Sequence, residues 1–410
     1  MQSKIFDPVH KFIEIDAFEA TLIKTLPFKR LQAIHQIGAS FFVYGGGNHK
    51  RFDHSLGTLF VATKIYDKVM QNTAILKKIA PDFDKQQKKY WRKILRAAAL
   101  CHDLGHLPFS HLAETELLKD NSHEDWTVRI IKSDWLLPIW EKEGLDVEHI
   151  CRISVGEKVL GEKYSPLEQI ITEMLTGDFF GADRIDYLLR DSYFTGLAYG
   201  SFDYHQLIDS LKLLEINNKF YLGIDEDGLE STYSLLLARY FMHKRLYQNP
   251  LVKSYNFHLT RFIKLFFEGK NYLNSVNDYL KVNDYDILSE INRAIFDSSH
   301  FGYFDALALM DQGEKHLVHI LSKEEKEILL QTLDIIDNKI FFDQKPFLKS
   351  SSSLTFPVLL KNGMISPAKE IAEVKIPVND KNWVFISPDC SEEFRKQLDH
   401  VAKVLYKTGK

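Results

Sequence analysis

The chain has 410 residues, of which 45% are hydrophobic and 26% are charged, and its formal net charge is −4. These proportions are typical of a soluble globular protein that is long enough for two or three domains, or for one large domain with appendages. A weakly acidic chain lacks the basic face with which proteins coat nucleic acid, so no stable nucleic-acid binding is expected. A local basic pocket for one phosphorylated ligand is still compatible with this charge.

The cysteines and the apolar runs indicate the expected compartment. Cys101, Cys151 and Cys390 are far apart, odd in number and without a CxxC pair, which predicts a reduced, intracellular protein without a disulfide framework. The charged N-terminus "MQSKIFDPVHKFIEID" has no signal-peptide core, and no apolar run is long enough to span a membrane. We therefore expect a cytoplasmic protein with no membrane partner.

The first half of the chain predicts a series of helices. Residues 17–40 have an apolar stripe that Pro27 interrupts, and a glycine loop at 43–52 leads into a helix with apolar residues at helical spacing. The segment "YWRKILRAAALCHDLGH" predicts a second helix that ends near Gly105 and Pro108. Further helices are expected in three segments, 123–135, 166–177 and 181–196.

The second half mixes helices with short strands. Alternating apolar and polar residues around Asn217–Asn218 predict a hairpin, and a long helix is expected from Ser231 to Gln248. Residues 255–345 have helical patterns. The segments "SSSLTFPVLLKNG" and "AEVKIPVNDKNWVFIS" indicate strands, and "EEFRKQLDHVAKVLYK" indicates a final amphipathic helix.

The predicted fold is mainly α: a helical core with a small β-hairpin, a C-terminal helical extension and a small α+β tail. The expected division is 1–260 for the first domain, with its core at about 50–195, then 261–345 for the extension and 346–410 for the tail.

One helix end carries residues that favour metal chemistry. His102 and Asp103 are adjacent, and neighbouring side chains on a helix diverge by about 100°. Both can therefore bind one metal only at a helix end, with ligands supplied by other segments. His54 in "RFDHSLG" and Asp183 in "GADRIDYLLRD" also stand at predicted helix ends. One His, one His–Asp pair and one distant Asp form a nitrogen and oxygen ligand set that suits Mn, Fe, Zn, Ni or Mg.

Three motifs together resemble a known family. The order H…HD…D within "HKRFDHSLG", "CHDLGHLPFSH" and "ADRIDYLLRDSYFTG" is similar to the HD-domain metal-dependent phosphohydrolase superfamily, and more narrowly to its dNTP triphosphohydrolase branch. The similarity extends from about Ile5 to Tyr247. It implies an HD-domain helical core, a divalent metal held by His54, His102, Asp103 and Asp183, and hydrolysis of dNTPs to deoxynucleoside and triphosphate by metal-hydroxide attack at the α-phosphorus. Additional Mg bound with the substrate triphosphate is also implied.

The same resemblance implies roles for other residues. His106 and His111 match histidines that face the α-phosphate, His123 matches the proposed general acid with Glu124 beside it, and Glu114 replaces an aspartate that orients the histidine at 111. The substrate-binding positions implied by the family are Gln36 (sugar 3′-hydroxyl), Arg51 and Lys244 (phosphates), Tyr187 and Asp191 (sugar and phosphates), and Tyr247 (deoxyribose). A homo-oligomer, dimer or tetramer, is the family expectation.

Alternatives stay open for the function and for single residues. The superfamily also contains phosphatases and phosphodiesterases that act on other nucleotides or phosphate esters. A nucleotide-binding module with a vestigial metal site is a third hypothesis. His106 and His111 could support neighbours by hydrogen bonding, His123 could be a surface helix cap, and Gln36 and Tyr247 could be ordinary core residues.

Overall fold

The computed structural model describes residues 3–112, 114–118, 121–321, 326–327, 340–342, 354–374, 376–377, 382–389 and 396. Within these residues helices dominate, which confirms the predicted mainly α fold. The helices are α1 Ala17–Leu22, α2 Leu26–Arg30, α3 Arg51–Val69, α4 Thr73–Ile79, α5 Lys85–Cys101, α6 Glu114–Leu117, α7 His123–Ile131, α8 Leu137–Glu143, α9 Val147–Val155, α10 Glu157–Leu160, α11 Pro166–Thr176, α12 Ala182–Thr195, α13 Tyr204–Ser210, α14 Leu229–Met242, α15 Pro250–Phe267, α16 Val276–Leu280, α17 Asp284–Ala294, α18 Tyr303–Leu309 and α19 Ala368–Ile371.

Short strands form three small sheets around this helical body. The strands are β1 Ser3–Asp7, β2 Lys11–Ile15, β3 Leu211–Ile216, β4 Lys219–Asp225, β5 Leu317–Leu321, β6 Ile340–Phe342, β7 Pro357–Leu359, β8 Ile365–Pro367 and β9 Asn382–Ile386. β1 and β2 form a hairpin, a second sheet has the order β3-β4-β7-β8, and a third has the order β5-β9-β6. The predicted β3–β4 hairpin is present, and both turn residues, Asn217 and Asn218, have positive φ angles, as a two-residue turn requires.

The helical core is built around α3. Helix α3 packs against α5 and α12, and α5 also packs against α9. The close contact of α3 with α12 depends on Gly57, since a Cβ atom there would lie 1.9 Å from Asp186 Oδ1 and 2.3 Å from Arg190 Nη2. The second half of α5, from Ile94 to Cys101, is fully enclosed in the core, so its C-terminal end is held in a fixed position.

Helix α5 ends earlier than the sequence pattern predicts. Its last helical residue is Cys101 and its C-cap is His102, whereas the prediction placed the end near Gly105. The His102 imidazole bonds to the carbonyl of Ala99 at 2.8 Å, and residues 102–105 continue as turns. His102 keeps helical backbone angles as the C-cap, so His102 and Asp103 lie at the helix end, where ligands from other segments can reach both.

Other predicted elements differ from the structure in extent. Residues 17–40 form α1, α2 and two 3₁₀ turns, because Pro27 starts α2 rather than interrupting one long helix. The predicted helix Ser231–Gln248 is α14 followed by a π-helical turn at His243–Tyr247. The helical prediction for 255–345 is wrong at β5 and β6, which pair with β9 from much later in the chain. The predicted final helix at 392–407 lies outside the described residues except at position 396.

The chain returns from its C-terminal part to the earlier hairpin. Strand β7 pairs in parallel with β4, with Ile224 opposite Val358. The predicted boundary at residue 260 falls inside α15. The three-part domain division stays a prediction.

Among the described helices, none is long and apolar enough to cross a membrane. Cys101 and Cys151 are both buried and free, and Cys390 lies outside the described residues.

Candidate metal centre and active site

Three helices bring the four predicted metal ligands to one point. His54 is in the first turn of α3, His102 and Asp103 follow α5, and Asp183 is in the first turn of α12. His54 Nε2 lies 3.0 Å from Asp183 Oδ1 and 3.5 Å from Asp103 Oδ2. His102 Nε2 lies 3.4 Å from Asp103 Oδ1 and 3.7 Å from Asp183 Oδ1. Such separations are those expected of ligand atoms that each lie about 2.0–2.2 Å from a shared ion.

The histidine tautomers also fit a metal ion. His54 donates from Nδ1 to Asp186 Oδ2 at 2.8 Å, and His102 donates from Nδ1 to the Ala99 carbonyl at 2.8 Å. With Nδ1 engaged in each ring, Nε2 is the nitrogen that faces the carboxylates and that would be available to an ion. Among the described residues, the buried Nε2 of His102 has no hydrogen-bond partner. A histidine held through one nitrogen and open at the other is the usual arrangement of a metal ligand.

Asp186 is the centre of a buried network behind His54. Its carboxylate contacts His10 Nε2 at 2.7 Å and the Arg190 guanidinium at 2.9 Å, and Arg190 also bonds to Asp7 at 2.8 Å. Burial opposes protonation of His54, but its hydrogen bonds to Asp183 and Asp186 outweigh burial and raise the pKa of His54 to about 10. Asp186 was not among the predicted site residues. The structure shows that Asp186 also orients a candidate metal ligand.

A second cluster joins three histidines through one carboxylate. Glu114 contacts His106 Nδ1 at 2.5 Å, His111 Nδ1 at 3.0 Å and His123 Nδ1 at 3.0 Å. The rings of His106 and His123 stack with centroids 3.9 Å apart. The ligand atoms of this cluster lie within 4.8 Å of one another, so a metal could fit, but the Glu114 contacts account for the cluster without one.

The histidines of this cluster differ in their affinity for a proton. Burial and the charges of Arg51 and His123 lower the pKa of His106 to about 3, so His106 is neutral at physiological pH. Burial also disfavours a proton on His123, but its hydrogen bond to Glu114 outweighs burial and raises the pKa of His123. His123 also lies 3.3 Å from Glu124. The predicted proton donor is thus a histidine whose surroundings favour the protonated form.

Gly105 allows His123 to reach this cluster. A Cβ atom at Gly105 would lie 1.9 Å from the carbonyl oxygen of His123, so the start of α7 can approach the chain after Asp103 only where no side chain intervenes. His111 is different from the other two histidines, since 63% of its side chain is exposed. It therefore faces the open side of the cavity.

Arg51 links the metal centre to the loop at residues 104–110. This buried arginine donates to Asp103 Oδ2 at 2.5 Å and to Ser110 Oγ at 2.7 Å. Burial opposes ionisation of Asp103, but Arg51 and the neighbouring imidazoles hold the pKa of Asp103 well below its usual range. Gln36 lines the same cavity, and its buried Oε1 has no hydrogen-bond partner among the described residues.

The tyrosines and Asp191 form the opposite wall. Asp191 accepts from the Tyr247 hydroxyl at 2.5 Å and contacts His49 Nε2 at 2.7 Å. The rings of Tyr187 and Tyr247 are 6.4 Å apart, and both line the cavity. His49, inside the glycine loop and two residues before Arg51, was not predicted as a site residue.

Lys244 does not join this site. Its side chain is exposed, is not part of the cavity wall, and places Nζ over the ring of Tyr240 at 5.8 Å. The structure therefore contradicts its predicted position among the phosphate contacts. The π-helical turn at His243–Tyr247 explains the difference, because its wider spacing directs His243 and Tyr247 into the cavity and Lys244 outward.

Arg239 is a buried cation that was not among the predicted site residues, and it is likewise not part of the cavity wall. Its guanidinium is buried, and among the described residues neither Nε nor Nη1 has a hydrogen-bond partner. Burial and the nearby charge of Arg184 lower the pKa of Arg239, and burial together with both arginines lowers the pKa of His243 to about 3. The spacing of Arg239, His243 and Tyr247, four residues apart each time, was the signal available in the sequence.

One large cavity connects these groups. Its volume is about 1210 Å³, and its wall includes the metal ligands His102 and Asp103, the histidine cluster, and one face of α15 as far as Lys264. The predicted metal ligands and histidines, together with all of the predicted substrate contacts except Lys244, lie at or beside this cavity.

Comparison with known proteins gives an independent result. The HD-domain model matches residues 51–174. An uncharacterized protein of Methanocaldococcus jannaschii is 32% identical over 285 residues, which are 70% of this chain and 54% of that protein. The human deoxynucleoside triphosphate triphosphohydrolase SAMHD1 is 27% identical over 275 residues, which are 60% of this chain and 42% of the human protein. The chain spans about half the length of the curated relatives it matches.

The fold also matches a solved structure over nearly its whole length. A hypothetical protein from Aquifex aeolicus superimposes with a TM-score of 0.77 and 28% identity, covering 97% of this chain and 100% of the other. The likeness therefore includes the regions beyond the HD-domain match.

Proposed function

We propose that this chain, which belongs to the HD-domain phosphohydrolase superfamily, is a metal-dependent phosphohydrolase whose substrates are deoxynucleoside triphosphates. The proposed products are deoxynucleoside and inorganic triphosphate. The choice of a polyphosphate is supported by two arginines: Arg184 and Arg239 are close enough for their charges to interact with each other and with Tyr187, and Arg184 Nε and Arg239 Nε and Nη1 have no hydrogen-bond partner among the described residues.

Arg239 is a buried cation without an ion pair among the described residues, whereas Arg184 lies 3.3 Å from Asp178. Burial of a charged group without a partner is costly, and arginine is the residue best suited to bind phosphate with several donors. Arg239 is almost fully buried, and Arg184 has only 14% of its side chain exposed. A triphosphate that extends from the metal ligands toward Tyr187 would supply the anion and satisfy these donors.

Divalent ion chemistry fits the four ligands. An ion bound by His54, His102, Asp103 and Asp183 would supply a more acidic bound water and would withdraw charge from a phosphoryl oxygen. Asp186 holds the His54 ring in position through Nδ1. Arg51, fixed between Asp103 and Ser110, stands where it can contact the phosphate that reacts.

We assign to His123 the role of donating a proton to the leaving group. Hydrolysis at the α-phosphorus releases the 5′-oxygen of the nucleoside, and this oxygen needs a proton as the bond breaks. Glu114 raises the pKa of His123, whereas His106 is held neutral by burial and by Arg51. In this assignment Glu114 orients the histidines and stays ionised, since His106 and His111 outweigh burial and hold its pKa well below the usual range.

Selectivity for a deoxy sugar is assigned to Tyr247. The hydrogen bond between its hydroxyl and Asp191 fixes the ring in the cavity wall. A fixed ring against C2′ of the sugar would leave no room for a 2′-hydroxyl. Gln36 offers an unsatisfied buried oxygen that could accept from the 3′-hydroxyl.

The test is a substrate panel with product identification. Purified protein is incubated with each dNTP and each NTP, with Mn²⁺ or Mg²⁺ and with a chelator, and products are identified by mass spectrometry. We expect deoxynucleoside and triphosphate from dNTPs only, with loss of activity on chelation. His102→Ala, which removes one ligand, should lose both the bound metal and the activity. Release of pyrophosphate or orthophosphate, or no product from any dNTP, would contradict the proposal.

The size of the cavity favours a second candidate. A volume of about 1210 Å³ exceeds the roughly 300–1,000 Å³ of ordinary ligand pockets, and the cavity continues along α15 past Arg261 to Lys264. A longer phosphate ester, such as a linear dinucleotide or an oligonucleotide end, would occupy more of this space. 5′-Phosphorylated dinucleotides therefore belong in the same panel, and their faster turnover would favour this candidate over dNTPs.

A further inference from the structure

The loop between the metal ligands and His111 has an unusual backbone. Phe109 and Ser110 follow each other with φ angles of 57° and 62°, in the left-handed region that residues with side chains avoid. Phe109 is fully buried and Ser110 nearly so. Two such residues in succession persist only where the surrounding contacts hold them, and such conformations often occur at functional sites.

Asp284 supplies the contact that holds this turn. It is the first residue of α17 and is completely buried. Its Oδ1 accepts from the backbone N–H of Phe109 at 2.8 Å. Its Oδ2 accepts from the backbone N–H of His35 at 2.7 Å and lies 2.5 Å from His35 Nδ1. One carboxylate therefore joins the catalytic loop to the segment that carries Gln36.

The contacts of this turn lead directly to the metal centre. Ser110 Oγ donates to the carbonyl of His35 at 2.6 Å and accepts from Arg51 Nε at 2.7 Å. Arg51 in turn bonds to the metal ligand Asp103. The position of Asp284 thus affects Arg51 on one side of the turn and His111 on the other.

Neighbouring residues of the same segment hold the rest of the loop. Tyr279 donates to the carbonyl of Gly105. Arg30 bonds to the carbonyl of Val282 at 2.8 Å and to that of His106 at 2.9 Å. The loop at 104–110 is therefore fastened at several points to residues 279–284, beyond the region matched by the HD-domain model.

We propose that Asp284 is a positioning residue of the active site: by holding the left-handed turn at Phe109–Ser110 it sets the places of Arg51 and His111, so that the helical extension completes the catalytic site. Which substrate reacts there rests on the proposed function; the positioning role concerns the loop itself.

The first test compares two substitutions in the same turn of α17. Asp284→Asn keeps the shape of the side chain but puts an NH₂ group against backbone N–H donors. Asp286→Asn is the matched control, because Asp286 is exposed and caps the same helix without touching the loop. We expect Asp284→Asn to lower kcat by about 10- to 100-fold, as small misplacements of catalytic groups do, while KM for the substrate and the metal content are little changed. Asp286→Asn should leave kcat unchanged.

The second measurement needs no substrate. Hydrogen–deuterium exchange of peptides that cover residues 104–112 should be faster in Asp284→Asn than in the parent chain, and unchanged in Asp286→Asn. If the parent turns over no dNTP, the proposed function fails, but this exchange result and the rate on bis-p-nitrophenyl phosphate still test Asp284. Unchanged exchange together with unchanged kcat in Asp284→Asn would overturn the positioning role, as would an equal loss of kcat in Asp286→Asn.

A milder variant covers the case in which Asp284→Asn does not fold. Tyr279→Phe removes only the hydroxyl that bonds to Gly105, and the ring keeps its packing on Trp126. It should increase exchange over the same residues and lower kcat with KM unchanged. Parent-like exchange and kcat in Tyr279→Phe would then count against control of this loop by the extension.

Discussion

At the scale of single residues, the contacts of Glu114 distinguish His123, the proposed proton donor, from the histidines that would bind the metal. Glu114 touches three imidazoles, yet only His123 among the buried ones is favoured in its protonated form. The difference follows from position, because His106 lies against Arg51 and Asp103 whereas His123 lies between two glutamates. The residue type alone does not predict which of these histidines is favoured in its protonated form.

Substitution of His123 tests that assignment. A general acid works while it is protonated, so a raised pKa keeps the rate high above the ordinary histidine range and the rate then falls as pH rises through that pKa. His123→Gln should lower kcat by about 100-fold or more and should abolish the alkaline decline of the rate. The measurement is kcat/KM across neutral and alkaline pH. The exposed His205→Gln is the control, and an unchanged alkaline decline in His123→Gln would assign the proton to another group.

Substitution of Arg239 tests the phosphate site. Arg239→Met removes a buried cation that lacks partners for Nε and Nη1, so Tm of the ligand-free protein should not fall. KM for dNTP should rise by roughly 10- to 100-fold, the effect of losing a hydrogen bond to a charged group. Lys244→Ala, one turn further along, should leave KM unchanged. A lower Tm with unchanged KM would show that Arg239 is structural.

The four predicted metal ligands are residues whose chemistry is unusual for a core. His54, His102, Asp103 and Asp183 are polar residues at helix ends, and the structure brings all four together. Arg239 and Lys244 carry the same charge, so residue type does not distinguish them. The four-residue spacing of Arg239, His243 and Tyr247 was the available signal, and it places Arg239 rather than Lys244 on the face of His243 and Tyr247.

At the scale of elements, the contact between α3 and α12 holds the metal ligands in register. Gly57 is three residues after His54, and Asp186 is three residues after Asp183. The absence of a side chain at Gly57 lets Asp186 approach His54. This contact therefore sets both the spacing of two metal ligands and the orientation of one of them.

Gly57→Ala tests this dependence on a single methyl group. The added Cβ would overlap Asp186 and Arg190, so α12 must move away from α3. We expect a loss of about 1–3 kcal/mol in the free energy of unfolding, together with a lower metal content after purification. Gly45→Ala, where no atom lies within 4 Å of the new Cβ, should change neither. Calorimetry measures the free energy of unfolding of both variants, and metal analysis measures the metal content of both.

Elements formed by local signals were predicted more accurately than those formed by distant pairing. The β3–β4 hairpin and α12 follow from their turn residues and caps. The strands β5 and β6 were predicted as helical, because their partner β9 is distant in sequence and no local pattern announces it. The end of α5 was misplaced for a similar reason: contacts of His102 and Asp103 within the site, rather than Gly105, stop the helix.

At the scale of the whole molecule, we propose that the helical extension and the HD domain form one catalytic unit. Self-association of the chain remains a prediction. The resemblance implied a homo-oligomer, dimer or tetramer. We expect light scattering of the purified chain to give a mass that is a multiple of 47.7 kDa at the concentrations used for activity assays. A monomer with full activity would contradict this expectation. Activity and mass that both decrease on dilution would support it.

The parallel pairing of β7 with β4 has a consequence for synthesis of the chain. The β3–β4 hairpin leaves the ribosome long before residues 357–359 are synthesised. One edge of β4 therefore stays unpaired while more than a hundred further residues are made. An unpaired edge is a template for intermolecular pairing and aggregation. A shortened chain that ends near residue 260 would keep this edge exposed permanently. Low solubility of such a fragment would then reflect a missing strand rather than an unstable metal site.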